Sequence, residues 1–135
     1  MTTSNVKYSG NLRTVCTHLK SGSEIITDAP TDNNGKGEAF SPTDLTATSL
    51  AACMLTVMGI AAQQRNIEFS GASVEVTKVM LSEPRRIGKI QIDMKIPDQG
   101  YTEKIQGILK NTARTCPVAK SLHPDIEVVV NFKFD

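Results

Sequence analysis

The chain has 135 residues, enough for one domain (1–135) that buries a sizeable core without staples. Its 15 basic and 14 acidic residues leave a net charge of +1, so it carries no electrostatic footprint for nucleic acid or an anionic membrane. Three cysteines are too few and too far apart for a disulfide framework, and a composition with no Trp, two Tyr and four Phe gives no platform for stacking bases.

The opening MTTSNVKYSG lacks the basic and then apolar pattern of a signal peptide, so a cytoplasmic protein is expected. Extended segments are predicted at 6–9 and 11–19, with Gly10 as the break between them. In the second, Leu12, Thr14, Cys16 and His18 share one face, and Arg13, Val15, Thr17 and Leu19 the other. Ser21 and Gly22 turn the chain into a third short strand, 24–27, which completes an antiparallel meander. Residues 28–40, DAPTDNNGKGEAF, form a loop of turns. A loop of that length in a small domain is more often functional than idle, and this one leads directly into the next helix.

That helix lies in 41–65, SPTDLTATSLAACMLTVMGIAAQQR. Ser41 can cap it, Pro42 suits the first helical position, and Asp44 places a carboxylate in the first turn, where the helix dipole favours it. No charge occurs from Leu45 to Gln64, and apolar side chains point in every direction. A helix apolar all round is expected to be buried all round. Its length would also suit a membrane span, but Thr46, Thr48, Ser49 and Thr56 lower its hydrophobicity, and a central core helix is the expected reading.

Beyond a turn at 66–71, strands are predicted at 72–81 and 87–96, separated by Glu83 and Pro84, with Arg85 and Arg86 at the turn of the hairpin. An amphipathic helix follows at 101–115, its apolar side given by Ile105, Ile108 and Leu109 with Thr112 or Ala113, and its cap by Asp98 or Thr102. Pro117 ends that pattern and opens a short helix through 118–122, which leaves Cys116 at its N-terminus. A terminal strand is predicted at 126–134. The order is α+β with no βαβ alternation, no internal repeat and no glycine-rich phosphate loop.

Cys53 and Cys116 stand in different settings. Desolvation opposes ionisation of a thiol in an apolar helix, whereas a helix N-terminus favours it. Cys53 is therefore inert unless the fold holds a cation beside it. Arg13 is the candidate, a charge inside a predicted strand with apolar neighbours, and a buried arginine needs a partner. Asp44 is the carboxylate nearest Cys53 in sequence, but nine residues of straight helix separate them by about 13 Å. His18 and His123 have neither C-x-x-C nor H-x-x-x-H spacing around them, so neither a zinc site nor a Cys–His hydrolase is supported.

The motifs SPTDLTATSLAACMLTVMGIAA and TCPVAKSLHP, together with YSGNLRTVCTH, TDAPTDNNGKGEAFSP and RRIGKI, resemble the OsmC/Ohr family of thiol peroxidases across nearly the whole chain. The resemblance implies an α+β fold with antiparallel sheets packed around a long central helix, in an intertwined homodimer with active sites at the interface. It implies reduction of organic hydroperoxides by Cys53 as peroxidatic and Cys116 as resolving cysteine, with Arg13 activating. An external thiol or dithiol would be the reductant, and no metal, flavin or haem is required. The best-characterised branches place a glutamate directly after the proline at the helix start; here Thr43 holds that place and Asp44 follows, so Asp44 is the candidate acid. The alternative is an OsmC-like binding or stress-interaction protein without peroxidase activity.

Overall fold

A computed structural model describes residues 1–135, the entire chain. They form two compact units, Met1–Thr46 and Ala47–Asp135. The first holds the strands β1 (Ser4–Gly10), β2 (Arg13–His18) and β3 (Glu24–Asp28), a single 3-10 turn at Thr31–Asn33, and the first residues of helix α1 (Pro42–Gln64). The second continues α1 and adds β4 (Ser73–Leu81), β5 (Arg86–Ile96), α2 (Glu103–Arg114), α3 (Pro117–Ser121) and β6 (Glu127–Phe134).

In the first unit β1, β2 and β3 make the expected antiparallel meander, with Val6, Cys16 and Ile25 in register. The turn between β1 and β2 lies later than the sequence reading placed it. Asn11 and Leu12 both have left-handed backbones (φ 56° and 62°), the pairing that matches hairpin twist, so β2 begins at Arg13 rather than at Asn11. This sheet has little apolar interior. Its buried residues are polar (Thr27, Asp28 and, at the start of α1, Ser41), while Val6, Tyr8, Ile25 and Ile26 are exposed.

The second unit has a mixed sheet in the order β4, β5, β6. The antiparallel expectation holds for β4 with β5, but β6 runs parallel to β5. The connection from β5 to β6 contains α2 and α3, long enough to return the chain to the end where β5 began, and a parallel pair requires such a crossover. On α1, Leu50, Met54 and Met58 stand one turn apart and enter a core shared with Ile90, Ile92, Met94 and Ile96 of β5 and with Leu109 and Ala113 of α2. Each large side chain buried there contributes about 1.5–3 kcal/mol of transfer free energy. Tyr101 meets Phe134 edge-on at 5.8 Å, and Arg114 lies 5.2 Å over the Phe132 ring, which ties α2 to β6.

The expectation that α1 is buried all round is not met within one chain. Ala52, Thr56 and Ile60 are exposed along one stripe, Ile60 by 48%. The core meets α1 along the stripe of Leu50, Met54 and Met58, and this second stripe runs along the opposite face. By length and composition alone α1 could cross a bilayer, but its buried residues, from Ala47 to Ala62, lie on the face that enters the core.

Candidate functional site

The candidate residues occupy two places. In the second unit, Cys53 lies midway along α1 at the rim between its buried and exposed stripes and is half-buried. Cys116 lies in the break between α2 and α3. Thr115 closes α2, and Pro117 fixes the first turn of α3, so Cys116 becomes the N-cap and its Sγ accepts the Ala119 N–H at 3.4 Å. The two thiols lie close enough for Cys53 to act on the Cys116 thiol, and both are free. Sequence separation hides this meeting; the topology creates it.

The charge state of Cys116 departs from the expectation. Placement at a helix N-terminus was expected to favour its thiolate. Instead burial pushes the thiol up, because Cys116 is only 1% exposed; the Ala119 N–H opposes this, and the neighbouring Cys53 adds to it. Desolvation outweighs the short helix.

Arg13 opens β2 in the first unit, directly across from Asp28 of β3. Its Nε donates to Asp28 Oδ1 at 2.7 Å and its Nη2 to Oδ2 at 2.9 Å, a two-pronged pair on a carboxylate that is 1% exposed. Nη2 also donates to Glu38 Oε1 at 3.3 Å, and the Glu38 backbone N–H donates to Asp28 Oδ2 at 3.1 Å. The hydrogen bond to Asp28 raises the Arg13 guanidinium from its ordinary value, and the same bond holds the Asp28 carboxyl below its own. Arg13 is half-buried, and its partners in this unit are the carboxylates of Asp28 and Glu38.

Sequence reading missed both carboxylates. Asp28 and Glu38 lay inside the segment assigned to the loop, and the signal that could have found Asp28 was the register of the meander, which sets it opposite Arg13. The loop is built to close on this pair. A Cβ on Gly35 would sit 1.7 Å from the Ala29 carbonyl oxygen, and Gly37, just before Glu38, has φ +62°, so both positions need glycine.

Asp44 and Ser41 form a reciprocal cap at the start of α1. Ser41 Oγ accepts the Asp44 N–H at 3.0 Å, and Asp44 Oδ2 accepts the Ser41 N–H at 3.0 Å. The histidines serve turns. His18 Nδ1 lies 2.6 Å from Ser21 Oγ, and His123 Nδ1 accepts the Asp125 N–H at 3.0 Å. Arg86 Nη1 donates to the Ile87 carbonyl at 3.3 Å.

The OsmC-like protein family matches residues 35–131. The chain belongs to the OsmC-like family. The whole chain aligns with 96% of a Psychrobacter arcticus 273-4 protein named for an osmotic stress induced and detoxification response, at 55% identity and a TM-score of 0.91. An organic hydroperoxide resistance protein OsmC of Legionella pneumophila aligns over 98% of both chains at 18% identity and a TM-score of 0.72. One from Elizabethkingia anophelis aligns with 100% of this chain and 98% of its own, at 16% identity and a TM-score of 0.73. The last two share the OsmC-like fold alone. No curated protein matches the sequence.

Proposed function

We propose that this OsmC-like protein is a cytoplasmic thiol peroxidase that reduces organic hydroperoxides to alcohols through Cys53 and Cys116. The observation that carries the reading is that the fold brings Cys53 near enough to Cys116 to act on its thiol, although 63 residues separate them in sequence. Names of structural neighbours that refer to hydroperoxide resistance support the substrate class.

In this mechanism the Cys53 thiolate attacks one peroxide oxygen and the O–O bond breaks. The alkoxide leaves and takes a proton as an alcohol, and Cys53 becomes a sulfenic acid. The Cys116 thiolate then attacks the Cys53 sulfur, and hydroxide leaves as water to give a Cys53–Cys116 disulfide. Two equivalents of an external thiol, or one dithiol, return both cysteines to thiols. Arg13 is the cation assigned to the thiolate and to the negative charge that develops on the peroxide oxygens. Asp44 takes a supporting part, through the cap that fixes the start of the helix bearing Cys53.

A homodimer belongs to the same reading. Exposed Val6, Tyr8, Ile25 and Ile26 on the first sheet and the Ile60 stripe of α1 are apolar surfaces that a second copy would cover. The rival reading, an OsmC-like binding protein without turnover, draws on one observation: the Arg13 guanidinium already carries two carboxylates. Consumption of cumene hydroperoxide in the presence of excess dithiol decides between them. Wild type should turn over, Cys53→Ser should not, and Cys116→Ser should hold a sulfenic acid that dimedone traps. Absence of turnover in wild type favours the rival.

A further inference from the structure

The two carboxylates on Arg13 divide its guanidinium between them. An arginine presents two edges, each with two parallel N–H groups: Nε with one hydrogen of Nη2, and Nη1 with the other. Asp28 fills the first edge with bonds of 2.7 and 2.9 Å, from a carboxylate 1% exposed whose Oδ2 also accepts the Glu38 N–H. Glu38 therefore takes the second hydrogen of Nη2, at 3.3 Å, by a single long bond from a side chain that is 65% exposed. That contact falls on the second edge, the one edge of a 29% exposed guanidinium that can offer two N–H groups to a further pair of oxygens.

We propose that Asp28 is the positioning residue for Arg13 and that Glu38 is a displaceable placeholder on its second edge, which a hydroperoxide must dislodge before Arg13 can serve it. The inference rests on the reading of Arg13 as the peroxide-facing cation. Charge gives the placeholder a consequence: Arg13 between two carboxylates, with Lys36 acting on Asp28 from nearby, leaves the cluster neutral. With Glu38 rotated away the cluster is +1, which favours a thiolate and a developing alkoxide alike, and its second edge is open. The displacement needs no loop opening. The Glu38 backbone stays pinned by its N–H to Asp28 and by the packing of Gly37 against Thr31, so a side-chain rotation suffices. An exposed contact of this kind restrains by no more than about a five-fold factor, small enough for a substrate to overcome.

The test pairs two measurements on Glu38→Gln, a change at an exposed side chain. The rate at which phenylglyoxal labels Arg13, mapped by peptide mass spectrometry, reports the second edge independently of any peroxide. The kcat/KM for cumene hydroperoxide reports its use. Both should rise about two- to five-fold in Glu38→Gln, whereas Asp28→Asn should lower kcat/KM at least about ten-fold while also exposing Arg13 to the label. Equal labelling rates and equal kcat/KM in wild type and Glu38→Gln overturn the placeholder, whether or not Asp28→Asn folds. If wild type consumes no peroxide, the peroxidase reading fails, and the labelling rate alone still supports or overturns the placeholder on Arg13.

Discussion

Closure of the disulfide should be the pH-sensitive step of the cycle. Cys116 is 1% exposed, and burial pushes its thiol above the ordinary 9.0, against the opposing backbone N–H groups of Ala119, at 3.4 Å, and Val118. With its pKa raised by burial, Cys116 is protonated in large majority at neutral pH, and its thiolate fraction changes about ten-fold per pH unit. Since the thiolate is the attacking species, resolution of the Cys53 sulfenic acid should accelerate about a hundred-fold from pH 6 to pH 8. The assay oxidises reduced protein with one equivalent of cumene hydroperoxide at each pH and quenches timed samples into dimedone. Mass spectrometry then gives the ratio of Cys53 adduct to disulfide. Resolution that stays flat from pH 6 to pH 8 would refute the reasoning, because the proton would then leave Cys116 by a route that burial does not control.

Asp44→Ala removes the acceptor for the Ser41 N–H and a first-turn carboxylate; it should destabilise the fold by about 0.5–2 kcal/mol in urea unfolding, with peroxide turnover retained at low temperature. A loss of turnover without loss of stability would move Asp44 from the cap into the chemistry. Light scattering at micromolar concentration should give twice the mass of one chain, and the unfolding midpoint should rise with protein concentration. Asp28 has its folded pKa lowered by Arg13, so its stabilising contribution is present above the ordinary carboxylate value of 3.8 and is lost as pH falls through the folded value. Acid unfolding of Arg13→Met should therefore begin at higher pH than that of wild type, and coincident acid transitions would count against the pair.

The helices and strands were legible because their signals are local. Pro42, Asp44 and the uncharged run to Gln64 define α1, and Pro117 fixes Cys116 as the cap of α3. What escaped the sequence depends on register and on burial. Nothing local distinguishes Asp28 from other loop acids until β3 pairs with β2 and sets it across from Arg13. The raised thiol of Cys116 follows from how deeply the core covers it, and that outweighs the helix terminus visible in the sequence. The uneven burial of α1 escaped for a related reason: a helix apolar on every side says nothing of how many of those sides its own chain can cover. The parallel β6 was hidden as well, since the strand pattern of VVVNFKF carries no direction.

The most direct test of the peroxidase reading is non-reducing peptide mapping after one equivalent of cumene hydroperoxide. A single Cys53–Cys116 disulfide, with Cys16 still free, is the result expected from two thiols that the fold brings near one another. Cys53 and Cys116 both recovered as free thiols after the peroxide has been consumed would contradict it.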